Sequence, residues 1–454
     1  MNIIVLSGSP RGKFSITLQT VLYIQKHFKN DYFEILNVGQ QIKQYERDMD
    51  LAVKKLLNAD MILFCYPVYT FIAPYQLHRF IELIKEKKVN LSGKFAAQIT
   101  TSRHFYDNTA HKFIEENCLD LKLKYIHGLS AEMGDLLTEQ GQKDVMKFWE
   151  YVHFCFESDI YVSANKKTSS LSDLSVDDKK LYIPFFSESK KSDRYDTLIV
   201  TNCEDHDENL ENMISDFRNV YPYSTRVINI RKYPFSGGCL GCFNCEIYGN
   251  CIYKEGFDVF LRGEIQSADA IVYAFTIKDH SMGASFKLYD DRKFCNGHRT
   301  VTMGMPVGYI VSGSYSLEHN LRLIVEARCE VGRNFLCGVA SDEEDTAKSI
   351  EMLSMKLDYA LQNKLVFPQN FLGVGGLKIF RDLIYSMKGL MKQDHKFYKK
   401  HGMYDFPQKK IGTILKFKFI GMLLSMPFVS KKINSRINET MIRPYKKLIE
   451  KREG

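Results

Sequence analysis

Apolar positions along this chain come in short continuous runs separated by longer stretches of mixed character. Residues 2–6 (NIIVL), 33–36 (FEIL), 61–65 (MILFC) and 95–100 (FAAQIT) are four such runs, too short for helices, and each reads as a strand buried on both faces. Between them, residues from about 15 to 29 and from 76 to 86 carry helical spacing. Strands alternating with helices of ten or more residues predict a parallel sheet with ligands at the carboxyl ends of its strands. Residues 158–194 then turn polar, with SANKKTSSLSDLSVDD and SESKKSDR flanking a short LYIPFF, and read as an exposed linker. After it the pattern restarts, with strands at 197–200, 225–230 and 268–273 and a helix at 210–219. Asp60 and Asp269, and Phe80 and Tyr289, are each 209 residues apart, so the second half reads as a duplicate of the first. The expected architecture is α/β: two tandem doubly wound parallel-sheet domains at 1–157 and 195–365, then a basic, mainly helical tail at 366–454.

At 454 residues the chain exceeds one ordinary core, in keeping with that division. Its charge is uneven. Residues 371–454 hold 19 of the 62 Lys and Arg but 6 of the 54 Asp and Glu, so this tail carries +13 and residues 1–370 carry −5. The apolar run at 419–429 is interrupted by Pro427 and falls short of the ~20 residues that span a bilayer. Its lysine flanks fit a peripheral contact with an anionic membrane surface, or packing on the body of the protein; nucleic acid is the weakest fit. The opening residues, MNIIVLSGSPRG, lack a basic n-region and a long apolar core, and read as a first strand rather than a signal peptide. Seven of the eleven cysteines are scattered singly, unlike a secretory disulfide framework, so a reducing cytoplasm is expected.

The other four cysteines fall in SGGCLGCFNCEIYGNCIYKEGFD, residues 236–258. Cys239, Cys242, Cys245 and Cys251 follow the spacing C-x2-C-x2-C-x5-C, with glycines between them that let a tight turn point the sulfurs inward. Four thiolates so spaced suit a [4Fe-4S] cluster; a tetrahedral zinc and a metal-free loop remain open from the spacing. The duplicate explains where the cluster sits. Between the second strand and the shared aspartate the first copy spends 23 residues and the second 40, and the additional residues contain the cysteines.

The loop after the first strand, GSPRGKFSIT, joins a buried strand to a helix and carries hydroxyls and one arginine, a geometry that presents donors to an anion. Its counterpart in the second copy is TNCEDHDEN, where Glu204, Asp205, Asp207 and Glu208 would repel a phosphate. With ADMILFCYPVY and PYQLHRFIE after the third strand, the first copy resembles the flavodoxin-like NAD(P)H-dependent FMN reductases. The resemblance implies FMN, with its phosphate at Ser9, Arg11, Ser15 and Thr17 and its ring against Pro67, Val68 and Tyr69. Two departures stand out: Ile16 where the family has a polar residue, and Arg103, His104, Phe105 and Tyr106 where it is Gly-rich. The cysteine motif after the second strand, and residues 305–332, resemble the iron-sulfur flavoproteins, whose cluster serves FMN on a neighbouring subunit. Both resemblances together imply an FMN-dependent oxidoreductase moving electrons between FMN in the first domain and a [4Fe-4S] cluster in the second, with NAD(P)H or ferredoxin as donor. A reductase with a structural cysteine loop and a non-catalytic redox scaffold are the alternatives. Catalytic residues are not assigned, and a homo-oligomer is left open.

Overall fold

In the computed structural model, residues 1–162, 191–343 and 345–424 are described; most of the linker and the end of the 419–429 run lie outside them. The apolar runs form strands. β1 (Asn2–Ser7), β2 (Tyr32–Leu36), β3 (Met61–Pro67), β4 (Phe95–Ser102), β5 (Lys124–Tyr125) and β6 (Leu129–Glu132) make one sheet, ordered β2-β1-β3-β4-β5 with β6 also on β4. Every pairing is parallel. Helices α1 (Ile16–His27), α2 (Val38–Arg47), α3 (Asp50–Asn58), α4 (Tyr75–Glu86), α5 (Asp107–Asp120) and α6 (Glu139–Glu157) accompany it. β3 is buried along nearly its whole length because helices cover both faces of such a sheet.

The second domain repeats the topology. β7 (Ser192–Thr201), β8 (Tyr223–Asn229), β9 (Ala270–Thr276), β10 (Pro306–Ser312) and β11 (Phe335–Ser341) are ordered β11-β10-β9-β7-β8, again all parallel. Counted from its own first strand, each sheet runs 2-1-3-4-5, the doubly wound flavodoxin-like order, whose ligand crevice opens between the first and third strands. The repeat reaches single atoms. Asp60 Oδ2 accepts the Asn2 amide at 2.8 Å, and Asp269 Oδ2 accepts the Asp196 amide at 2.9 Å, so each aspartate ties its turn to the first strand. Phe80 and Tyr289 are both fully buried.

The two domains meet through α4 and its duplicate, helix Gly283–Arg292. Asp291 Oδ2 accepts the Tyr75 amide at 2.8 Å, while Glu82 Oε1 accepts the Ala284 amide at 2.7 Å. Tyr75 and Ala284, like Glu82 and Asp291, are 209 apart in sequence. A carboxylate on each helix thus satisfies an orphan donor at the start of the other.

Helix Phe371–Ser386, in the basic C-terminal region, belongs to the same compact unit as both domains, Met1–Lys396. It lies against helix His319–Gly332, and a Cβ on Gly376 would stand 2.8 Å from Val331 Cγ2, so the close approach requires glycine there. Phe397–Gly454 forms a second unit, in which helix Ile411–Leu424 exposes Ile411, Ile414, Leu415, Phe417 and Phe419. No described helix is long and apolar enough to cross a membrane.

Candidate functional site

The turn after β1 tightens into a short 3-10 segment, Gly12–Phe14, with Gly12 at φ +53°. Ser15 then caps α1, its Oγ accepting the Leu18 amide at 3.4 Å, and the Ser9 hydroxyl accepts the Arg11 amide at 3.3 Å. Thr17 shares a 2.6 Å hydrogen bond with Thr101 on β4, so this hydroxyl joins helix to sheet. Arg11 leaves its own loop. Its Nη2 donates to the carbonyl of Gly241, and its guanidinium stands 5.6 Å from the centre of the Phe243 ring.

After β3, Tyr69 and Ile72 exchange backbone hydrogen bonds of 3.0 and 3.2 Å, and Thr70 and Phe71 turn the chain at φ +41° and +75°. Val68 donates its amide to Thr101 at 3.3 Å, fixing the loop to β4. Burial pushes the Tyr69 phenol far above its usual range, with Cys239 and Asp291 acting in the same direction, so it is a neutral hydrogen-bond donor.

The cysteine loop follows β8 and crosses to this face of the first domain. Gly241, at φ +61°, sits so close to the Tyr69 hydroxyl that no side chain fits. Lys43 donates to the Ser236 carbonyl at 2.8 Å, a further tie between the domains. Inside the loop, the Gly241 amide points at Cys239 Sγ at 3.5 Å, and Cys245 Sγ donates to the Phe294 carbonyl at 3.1 Å. Arg292, almost fully buried, donates to Gly237 O at 2.8 Å and pairs with Glu255 at 2.5 Å. It also lies 3.6 Å from Cys251 Sγ and 4.2 Å from the centre of the Tyr253 ring. Burial raises Cys239 to about 12, as expected for a thiol without metal; a bound cation would supply the charge that favours its thiolate.

All eleven residues singled out in the sequence line one cavity of about 480 Å³: Ser9, Arg11, Ser15, Thr17, Pro67, Val68, Tyr69, Cys239, Cys242, Cys245 and Cys251. That size is ordinary for a cofactor or small-molecule pocket, and its hydroxyls and arginine are the donor types a phosphate requires. Among the described residues, no three of the loop's sulfurs lie within 4.8 Å of one another.

The second domain's own crevice differs where the sequence does. Asp207 stands at the helix cap, accepting the Leu210 amide at 3.4 Å as Ser15 accepts that of Leu18, and also accepts from Thr276. A carboxylate at that position opposes a phosphate.

The aromatic loop after β4 turns toward helix Phe371–Ser386. Phe105 stacks on Phe380 with ring centres 4.2 Å apart, and Tyr106 donates to the Leu372 carbonyl at 2.7 Å. Arg103 pairs with Glu132 at 2.7 Å and His104 with Asp107 at 2.8 Å. Sequence reasoning missed Arg292, Phe243 and Phe294, which line the cavity together with Cys295 and His298. Comparison of the copies holds a signal for Arg292, because its counterpart 209 residues earlier is the buried Leu83.

A family model described as the flavodoxin-like fold matches residues 1–134. The first domain is flavodoxin-like. No curated protein matches the chain. Among solved structures, the chain is similar to an NADPH-quinone reductase from P. pentosaceus at 17% identity, over 33% of this chain and 96% of that one, with a TM-score of 0.27. It is also similar to an FMN-dependent NADH-azoreductase from Bacillus anthracis str. Ames Ancestor in complex with FMN, at 13% identity over 33% and 98% of the two chains and a TM-score of 0.27. General stress protein 14 from Treponema denticola in complex with FMN matches at 11% identity over 34% and 97%, with a TM-score of 0.28. Within the flavodoxin-like domain, the loops after β1 and β3 flank the switch point between those strands, where folds of this order bind their ligands.

Proposed function

We propose that this chain is a flavin-dependent oxidoreductase that holds FMN in the crevice of the flavodoxin-like domain and a [4Fe-4S] cluster on Cys239, Cys242, Cys245 and Cys251, with NAD(P)H or a ferredoxin as electron donor. The observation that supports it best is the shared cavity: the phosphate loop, the loop after β3 and all four cysteines line it together. When bound, FMN exchanges hydride or single electrons and an iron-sulfur cluster exchanges single electrons, so adjacent sites suit electron passage within one chain. The protein's own residues provide the setting. Ser9, Ser15 and the start of α1 present hydroxyls and a helix N-terminus to an anion. Arg11 ties that loop to the cysteine loop, and the buried Arg292 stands 3.6 Å from Cys251 Sγ.

The decisive comparison is between the wild type and Cys242→Ala, both reconstituted with FMN. The variant should bind flavin as the wild type does and keep its reduction by a nicotinamide donor, but fail to exchange electrons with a ferredoxin or a one-electron dye. Equal activity with both kinds of partner would make the cysteine loop structural. A wild-type chain that takes up no FMN would remove the flavin reading itself.

A further inference from the structure

The two sides of the domain interface share a reciprocal pair of carboxylate–amide hydrogen bonds but differ beside it. On one side Lys287, 2% exposed, donates its ammonium to the Tyr69 carbonyl at 2.6 Å, to the Thr70 hydroxyl and to the Asp291 carboxylate. The residues 209 positions away are His78 for Lys287, Glu82 for Asp291, Asp279 for Thr70 and Lys278 for Tyr69. The two turns correspond: Lys278 and Ser281 exchange backbone hydrogen bonds of 3.0 Å as Tyr69 and Ile72 do, and Asp279 and His280 take φ +52° and +57° where Thr70 and Phe71 take +41° and +75°.

In the second set the neutral ring of His78 stands where the first has the Lys287 ammonium. His78, Glu82 and Asp279 each bring one ligand atom to a point where all three lie within 4.8 Å of one another. His78 and Glu82 come from one face of α4 by their i, i+4 spacing, with Nε2 and Oε1 4.0 Å apart, and Asp279 comes from the other domain. His78 is fully buried, yet neither ring nitrogen has a hydrogen-bond partner, and Asp279 Oδ2 is likewise buried without one. Polar atoms so placed are costly unless something binds them. Burial holds His78 down at about 3, so its imidazole is neutral and can ligate.

Both carboxylates are also held in place by other groups. Glu82 Oε2 meets Arg79 at 2.9 Å and Lys278 at 3.7 Å, its Oε1 takes the Ala284 amide, and Asp279 Oδ1 meets Lys85 at 2.8 Å. Followed through its ion pairs, this network contains the cations Arg79, Lys85, Lys278 and His280 and the carboxylates Glu46, Glu82, Glu86, Asp120, Asp279 and Glu318. His280 meets Asp120 at 3.1 Å and Glu318 at 3.0 Å.

We propose that His78, Glu82 and Asp279 bind one divalent transition-metal ion of the zinc type, which joins the two domains where Lys287 joins them on the opposite side. One imidazole and two carboxylates are a nitrogen and oxygen set suited to zinc, whereas magnesium and calcium favour oxygen alone. The Lys278 carbonyl, counterpart of the Tyr69 carbonyl that receives Lys287, is the fourth candidate ligand. The site is independent of the flavin and cysteine assignments.

The test uses the full chain, stripped with chelator, dialysed against Zn²⁺ and assayed for metal per chain in the wild type, His78→Gln and Asp279→Asn. The wild type should retain one zinc more than either variant, and added zinc should raise its thermal midpoint by more than theirs. Zinc on the cysteines is common to all three and cancels in the comparison. Should either variant fail to fold, the other carries the comparison, and Co²⁺ on the wild type should show visible bands beyond those accompanied by thiolate charge transfer. Equal zinc in wild type and variants, or cobalt bound through thiolates alone, would overturn the proposal.

Discussion

Asp31 shows how much one side chain can organise. It is buried at the start of β2 and accepts from Trp149 Nε1 and from His153 Nε2, both at 2.8 Å, so it anchors α6 to the sheet edge. Burial would raise its carboxyl, but these hydrogen bonds outweigh that and hold it below the usual range. A depressed carboxylate stabilises the fold above its unfolded value of ~3.9, and that contribution is lost as pH falls through the lower folded value. Asp31→Asn should therefore cost ~1–3 kcal/mol at neutral pH and less under acid conditions. Because Trp149 is the only tryptophan, fluorescence-detected unfolding across pH reads the site directly; a penalty that grew on acidification would contradict the argument. At this scale the candidate site was legible in the sequence, since hydroxyls and an arginine at a strand-to-helix turn, or thiols two residues apart, carry their chemistry in their spacing. Arg292 was not, because its role depends on partners at Gly237, Cys251 and Glu255 that only folding brings together.

The pairing of α4 with helix Gly283–Arg292 is decided between elements. Burial lowers Lys287 and raises Asp291, the directions expected where desolvation opposes ionisation, so this pair specifies how the helices meet more than it stabilises them. Asp291→Ala would leave the Lys287 ammonium and the Tyr75 amide without that carboxylate, and should cost ~3–5 kcal/mol. Lys287→Met should cost less, because Asp291 keeps its donors from Tyr75 and Thr70. Unfolding midpoints of the two variants in the reverse order would refute this account. The elements themselves were legible: the run at 2–6 became Asn2–Ser7 and the helix expected at 76–86 became Tyr75–Glu86, since an apolar run between turn signals has few ways to be buried. Helix Phe371–Ser386 was harder to place. Gly373 and Gly376 serve close approach to helix His319–Gly332, and Phe380 receives Phe105, contacts that a basic, aromatic composition does not announce.

Across the whole molecule, the duplication divides the work. One copy keeps the hydroxyl-rich turn, the other substitutes Asp207 there and carries the inserted cysteines, and the domain interface returns that insertion to the first copy's crevice. Anaerobically purified protein should then contain about four iron and about four sulfide per chain, lost together when Cys239 and Cys242 are replaced by serine. Zinc on the cysteines with no acid-labile sulfide would assign the loop a structural role. The sequence by itself determined two α/β repeats, a hydroxyl-rich turn in one, acidic residues in the other and four closely spaced thiols, because strand and helix periodicity and residue spacing are local properties. Only the tertiary structure decided that the turn and the thiols share a cavity, and that His78, Glu82 and Asp279 meet across the interface. Cys239 is 230 residues from Ser9, and Asp279 is 201 from His78; what joins them is the burial of two helices against each other, which no local pattern records.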